Sequence, residues 1–209
     1  MSALGWLLHD LKYKPLVVIS EDEYNIPFIQ SNIGLRYGID SNIIRIGNFN
    51  DYDMSESFCV GNFVVKACKA KHDTDCPLHY FISDGTHSIF VGCDTAEISE
   101  SALNLMSQSD AVILESNYSW KSLKTNRLDG KKVSLIFNPE VKERLETLGH
   151  LSNTQVKELL PHLKNVKKII FLHMNIIINS EKTIRKEIGR DNRFVICVPD
   201  KCPYDISIK

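Results

Sequence analysis

Apolar positions along this chain come in short β-branched runs first and in alternating strand and helix patterns later. Leu16–Ser20, after Pro15, and Asn42–Ile46 each read as a short strand bounded by turn residues. Between Phe58 and Asp94 three further runs follow, Phe63–Ala67, His79–Ile82 and Ser88–Val91. The break Ser83-Asp84-Gly85-Thr86 predicts a hairpin loop, because Asp and Gly adopt the turn conformations that join antiparallel neighbours.

Beyond Asp94 the period changes. Ser99–Ser107 predicts a helix, Ala111–Glu115 a strand, and Pro139–Leu148 a helix with Pro in its first turn and Gly149 at its end. Asn153 is placed as the N-cap of a helix over Thr154–Leu163, whose Val156, Leu159, Leu160 and Leu163 share one face. Lys168–Leu172 reads as a buried strand, Glu181–Ile188 as a helix and Phe194–Val198 as a last strand. With no internal repeat, low-complexity tract or linker, residues 1–209 are expected to form a single α/β domain.

Composition narrows the classes. At 209 residues and 43% hydrophobic the chain can bury a sizeable core, which excludes disorder. A net charge of −1 gives no global pull toward a polyanion, so nucleic-acid binding would need a local cluster of Lys and Arg. The six cysteines show no C-x-x-C spacing and the chain opens without a signal-peptide pattern, so a reduced, cytoplasmic protein is expected. No apolar run approaches the ~20 residues that span a bilayer, and no membrane association is expected.

Three histidines fall where an element ends: His72, His150 and His173. Asp94, after the run Ile89-Phe90-Val91, has the same placement. Active-site groups of layered α/β proteins concentrate at such strand ends. Imidazoles and a carboxylate converging there would suit Zn²⁺ or Mn²⁺. Unrelated turn and surface residues would give the same spacing. His79 and His87 flank the hairpin as exposed strand residues, His162 sits among leucines of a helix, and His9 lies in an N-terminal helical pattern. The cysteines read as small core residues.

The order of the motifs carries more than any one of them. Lys71-His72-Asp73, Phe90-Val91-Gly92-Cys93-Asp94-Thr95, Leu114-Glu115-Ser116-Asn117, Leu148-Gly149-His150-Leu151-Ser152-Asn153 and Phe171-Leu172-His173-Met174 resemble successive blocks of the metallo-β-lactamase superfamily. The branch they resemble is the YycJ-like group of small hydrolases, related to ribonucleases Z and J and to cyclic phosphodiesterases. The resemblance implies an αββα four-layer sandwich with a metal site in the cleft between its sheets. It implies that His72 binds one metal, that Asp94 bridges two, and that His173 binds the second. His150 would stand beside them as a proton donor to the leaving oxygen or as a phosphate contact. Asp73 and Glu115 receive no role, and Asn117 reads as an interior loop hydrogen-bonder.

The family's H-x-H-x-D-H motif should precede a segment like Lys12-Tyr13-Lys14-Pro15-Leu16-Val17, and by its spacing it would fall at or before Met1. The resemblance therefore implies an N-terminally incomplete domain, with weak or absent metal occupancy and an exposed edge near Leu16–Ser20 that would leave the chain poorly soluble alone, a homodimer through that edge, or dependent on the missing segment. Two functions follow. One is a metal-dependent phosphodiesterase or nuclease-like hydrolase acting on a phosphodiester or nucleic-acid substrate; the other is a catalytically inactive remnant or binding module.

Overall fold

A computed structural model of the chain describes residues 17–20, 43–46, 54–74, 77–133, 149–198, 204 and 206–207. The predicted helix Pro139–Leu148, His9, and the side chains of the expected edge near Leu16–Ser20 lie outside the described residues. The chain divides into two compact units, Met1–Glu56 and Ser57–Lys209. In the first, β1 (Val17–Ser20) and β2 (Ile43–Ile46) pair in parallel.

The second unit is built on a seven-stranded mixed sheet. Its antiparallel part is a meander of β3 (Phe58–Val60), β4 (Phe63–Lys69), β5 (Leu78–Ser83) and β6 (Ser88–Gly92). The turn between β5 and β6 forms where the sequence predicts it. Asp84 Oδ1 accepts from the Thr86 and His87 amides at 2.8 and 2.6 Å, and Gly85 takes φ 87°. From β6 onward the strands of this sheet run parallel with helices between them, as crossovers require. α1 (Glu100–Ser107) leads to β7 (Ala111–Glu115), α2 (Trp120–Thr125) and the small hairpin β8 (Arg127–Leu128) and β9 (Lys131–Lys132) follow, then α3 (Asn153–Leu159), β10 (Lys168–Leu172), α4 (Glu181–Glu187) and β11 (Phe194–Ile196). The spatial order is β11-β10-β7-β6-β5-β4-β3.

The centre of the sheet is buried on both faces. Val112 and Leu114 of β7 and Ile169, Ile170 and Phe171 of β10 are all within the core, which explains why these strands read as unbroken apolar runs. Ala102, Leu105 and Met106 of α1 are buried as well. Because β6, β7 and β10 are mutually parallel and β4 is antiparallel to β5, which is antiparallel to β6, the carboxyl ends of β4, β6, β7 and β10 share one edge of the sheet.

Three expectations change. The N-cap of α3 is Ser152, not Asn153: Ser152 Oγ accepts from the Gln155 amide and Gln155 returns the bond to the Ser152 amide, a reciprocal capping box. The helix stops at Leu159 and tightens into a 3₁₀ turn over Leu160–His162, because Pro161 has no amide to donate. His79 is not an exposed strand residue. It is fully buried, edge-on to the Phe90 ring at 5.6 Å, and neither ring nitrogen has a hydrogen-bond partner among the described residues.

Candidate metal centre

The shared carboxyl edge carries the four residues that the strand ends single out. His72 lies three residues past β4, Asp94 two past β6, and His173 directly follows β10. His150 comes from another direction, on the loop that leads into α3. That loop is held against the end of β7 by Asn117 N donating to Leu151 O at 2.9 Å and Asn153 N donating to Tyr118 O at 2.9 Å.

The structure brings all four together around one oxygen. Asp94 Oδ1 is 3.3 Å from His72 Nε2, 3.3 Å from His150 Nδ1 and 3.3 Å from His173 Nδ1. The rings stand edge-on, with centroids 5.6 Å apart for His72 and His150 and 5.0 Å apart for His150 and His173.

Behind them is a residue that the motif blocks leave without a role. Glu115, the last residue of β7, is fully buried, and both its oxygens are engaged. Oε1 accepts from the Thr95 amide at 2.8 Å and the Leu151 amide at 3.1 Å. Oε2 faces His150 Nδ1 at 2.9 Å and His173 Nδ1 at 3.2 Å. Burial pushes the Glu115 carboxyl up, but the hydrogen bonds from His150, His173 and the Thr95 amide outweigh it and hold it below the ordinary carboxylate range. The same contact, opposed by partial burial and reinforced by Asp94, holds His173 above the ordinary imidazole value. A signal for Glu115 was present in the sequence, since a carboxylate closing the run Ala111-Val112-Ile113-Leu114 is a buried charge that must be paired.

His72 has its own carboxylate, with Nδ1 3.0 Å from Asp73 Oδ1. Each of the three imidazoles therefore has its Nδ1 against a carboxylate, an arrangement that fixes ring orientation; His72 turns Nε2 to Asp94, whereas His150 and His173 meet Asp94 and Glu115 through the same Nδ1. Thr95 staples the loops together: its hydroxyl donates to Glu97 O at 2.7 Å, while the amide of Ala96 donates to Lys71 O at 2.7 Å. Gln155 Nε2 donates to Ala96 O at 2.9 Å and ties α3 to the Asp94 loop. Asn117, the expected interior hydrogen-bonder, donates from Nδ2 to His173 O at 2.8 Å.

Two of these residues occupy backbone conformations that side chains usually avoid. Asp94 has φ 60° and His173 φ 52°. Left-handed non-glycine residues cluster where surrounding structure over-determines them, at sites that hold a ligand or do chemistry.

The donor set fits a divalent metal. Ligand atoms from Asp94, Glu115, His150 and His173 lie within 4.8 Å of one another. Donors bound at ~2.1 Å to one ion stand no more than about 4.2 Å apart, so only sub-ångström closure separates this cluster from a ligand shell of nitrogen and oxygen atoms.

No family model matches the chain, and no curated protein does. Solved structures do. The metallo-β-lactamase fold protein YhfI from Bacillus subtilis is similar at 15% identity and a TM-score of 0.54, over 86% of this chain and 61% of that one. Human tRNase Z, short form, is similar at 15% identity and TM-score 0.56, over 82% of this chain and 66% of that one. A diphosphatase from the PhnP family matches at 12% identity and TM-score 0.52, over 87% of this chain and 55% of that one. This chain thus spans between 55% and 66% of the length of these structures.

Proposed function

From a chain whose fold is that of the metallo-β-lactamases, we propose a metal-dependent hydrolase that cleaves phosphodiesters. The observation that carries the reading is the convergence of three imidazoles on Asp94 Oδ1, each anchored through Nδ1 by a carboxylate. Two of the structural neighbours are a diphosphatase and a tRNase, and that supports the choice of substrate class.

Asp94 and His173, which belong to the close donor cluster, would hold the metal, zinc or manganese, together with His72, whose Nε2 is 3.3 Å from Asp94 Oδ1. Glu115 acts behind them. With two amides on one oxygen and two imidazoles on the other, it orients His150 and His173. When bound, the metal supplies a water acidified to near neutrality and positive charge beside the phosphoryl oxygens. His150, its Nδ1 held by Glu115, can keep a proton on Nε2 for the leaving oxygen, and its ring is partly shielded from solvent.

The test is zinc and manganese titration of the chelator-treated chain by calorimetry, followed by hydrolysis of bis(p-nitrophenyl) phosphate. Saturable binding that Asp94→Asn abolishes, with hydrolysis that Asp94→Asn and His150→Ala both suppress, is the expected result. Metal binding without hydrolysis would favour a binding module, and the absence of both would remove the reading.

A further inference from the structure

The net charge of −1 conceals a concentration of cations along α4. Two grooves flank this helix. One, about 780 Å³, is lined by Met174, Ile176, Lys182, Lys186, Arg190 and Val198 among others. The second, about 700 Å³, shares Lys182 and Lys186 and adds Lys121 and Arg127. These five cations are exposed and form no ion pair among the described residues. Three carboxylates line the same grooves, each with a partner within the protein. Glu181 holds Arg185 at 3.0 Å, Asp129 accepts from the Ser180 and Thr183 hydroxyls, and Glu187 accepts from Ser119 Oγ and Asn153 Nδ2.

We propose that α4 binds the backbone of a single-stranded nucleic acid, gripping phosphates that flank the one presented to the metal centre. Three features point there. The lining of the first groove includes Met174, the residue after His173, which puts the groove next to the metal centre. Lys182 and Lys186 lie one helical turn apart, about 6 Å along the axis, and offer a ladder of positive charge rather than a single anion pocket. Beside the cations the lining includes Met174, Val198 and an Ile176 that is 60% exposed, apolar surface against which a base can pack.

The inference rests on the phosphodiester reading for its orientation relative to the centre, yet its test does not depend on catalysis. A fluorescently labelled single-stranded oligonucleotide is titrated with the full chain in EDTA and followed by anisotropy at several salt concentrations. Salt-sensitive binding is expected, weakened about tenfold or more in K182E/K186E, with a log–log salt slope shallower by about 1.4, that is ~0.7 for each lost phosphate contact. K157E/K164E makes the same change of charge at two other exposed lysines and is expected to bind like the parent chain. Equal weakening in the two variants, or salt-insensitive binding, would overturn the proposal. So would binding to anionic phosphatidylserine vesicles with none to the oligonucleotide. Failure to hydrolyse a small diester would count against the metal centre and leave this result standing.

Discussion

His79 makes the fold sensitive to acid in a way that one substitution can isolate. Its imidazole is fully buried on β5, edge-on to Phe90 and opposite the fully buried Cys68 on β4, with no hydrogen-bond partner for either nitrogen among the described residues. Burial pushes its pKa down from 6.5 to about 4, against a weaker upward pull from Glu115. The native state therefore keeps His79 neutral while the unfolded chain binds a proton below pH 6.5, so stability is complete above that value and falls as pH drops toward 4. The difference between 6.5 and about 4, at about 1.4 kcal/mol per pH unit, comes to about 3 kcal/mol. Urea melts of the parent chain and His79→Phe from pH 7.5 down to pH 4.5, values set by the expected titration window, separate this group from the carboxylates that also titrate on acidification. Phe keeps the edge-on contact and carries no proton, so the variant should gain on the parent as pH falls, by about 2 kcal/mol or more at the acid end. Two pH–stability curves that stay parallel would show that His79 is solvated or bonded in the native state, and the argument from burial would fail.

Three further outcomes follow from contacts in the second unit. Gly92→Ala would put a Cβ 2.5 Å from Cε1 of the fully buried Phe90 ring, so chemical melts should show a loss of about 1–3 kcal/mol. Asn153→Ala removes the partner of Ser116 Oγ at 2.6 Å, Asn179 Nδ2 at 2.8 Å and Glu187 Oε2 at 2.7 Å inside the protein, and should cost about 2–3 kcal/mol on the same assay. Glu115→Gln leaves the metal donors in place but releases the rings behind them, and calorimetry should find zinc affinity about 10–100-fold weaker; an unchanged affinity would mean that Glu115 orients nothing.

Six of the seven strands that build the sheet were legible because they are short apolar runs with turn residues at their ends; β3, three residues long, was not. Ala111–Glu115 and Lys168–Leu172 fall where the pattern puts them. α2 was not legible. Trp120–Thr125 is too short to show a period, and it exists because Ser119 caps it and Asn126 ends it in the left-handed conformation. Of the site, His72, Asp94, His150 and His173 could be picked out by their place at element ends. Glu115 could not be given a function, because its partners arrive from Thr95, His150 and His173, which only the folded sheet brings to it. His79 was misjudged for a related reason. In Leu78–Ser83 polar and apolar residues do not alternate cleanly, and the buried position of the strand is the histidine.

Asp94 and His173, both held at positive φ, are constrained twice over. Among side chains the backbone there tolerates Gly and Asn with least strain, and most others at a disadvantage of about 1–2 kcal/mol. A library of variants sorted only for folding would accordingly drift toward Gly or Asn at both places, while one sorted for a bound ion would be confined to residues that donate an electron pair. The gap between those two outcomes at 94 and 173 would measure how far selection for chemistry has pulled this chain from its most stable sequence.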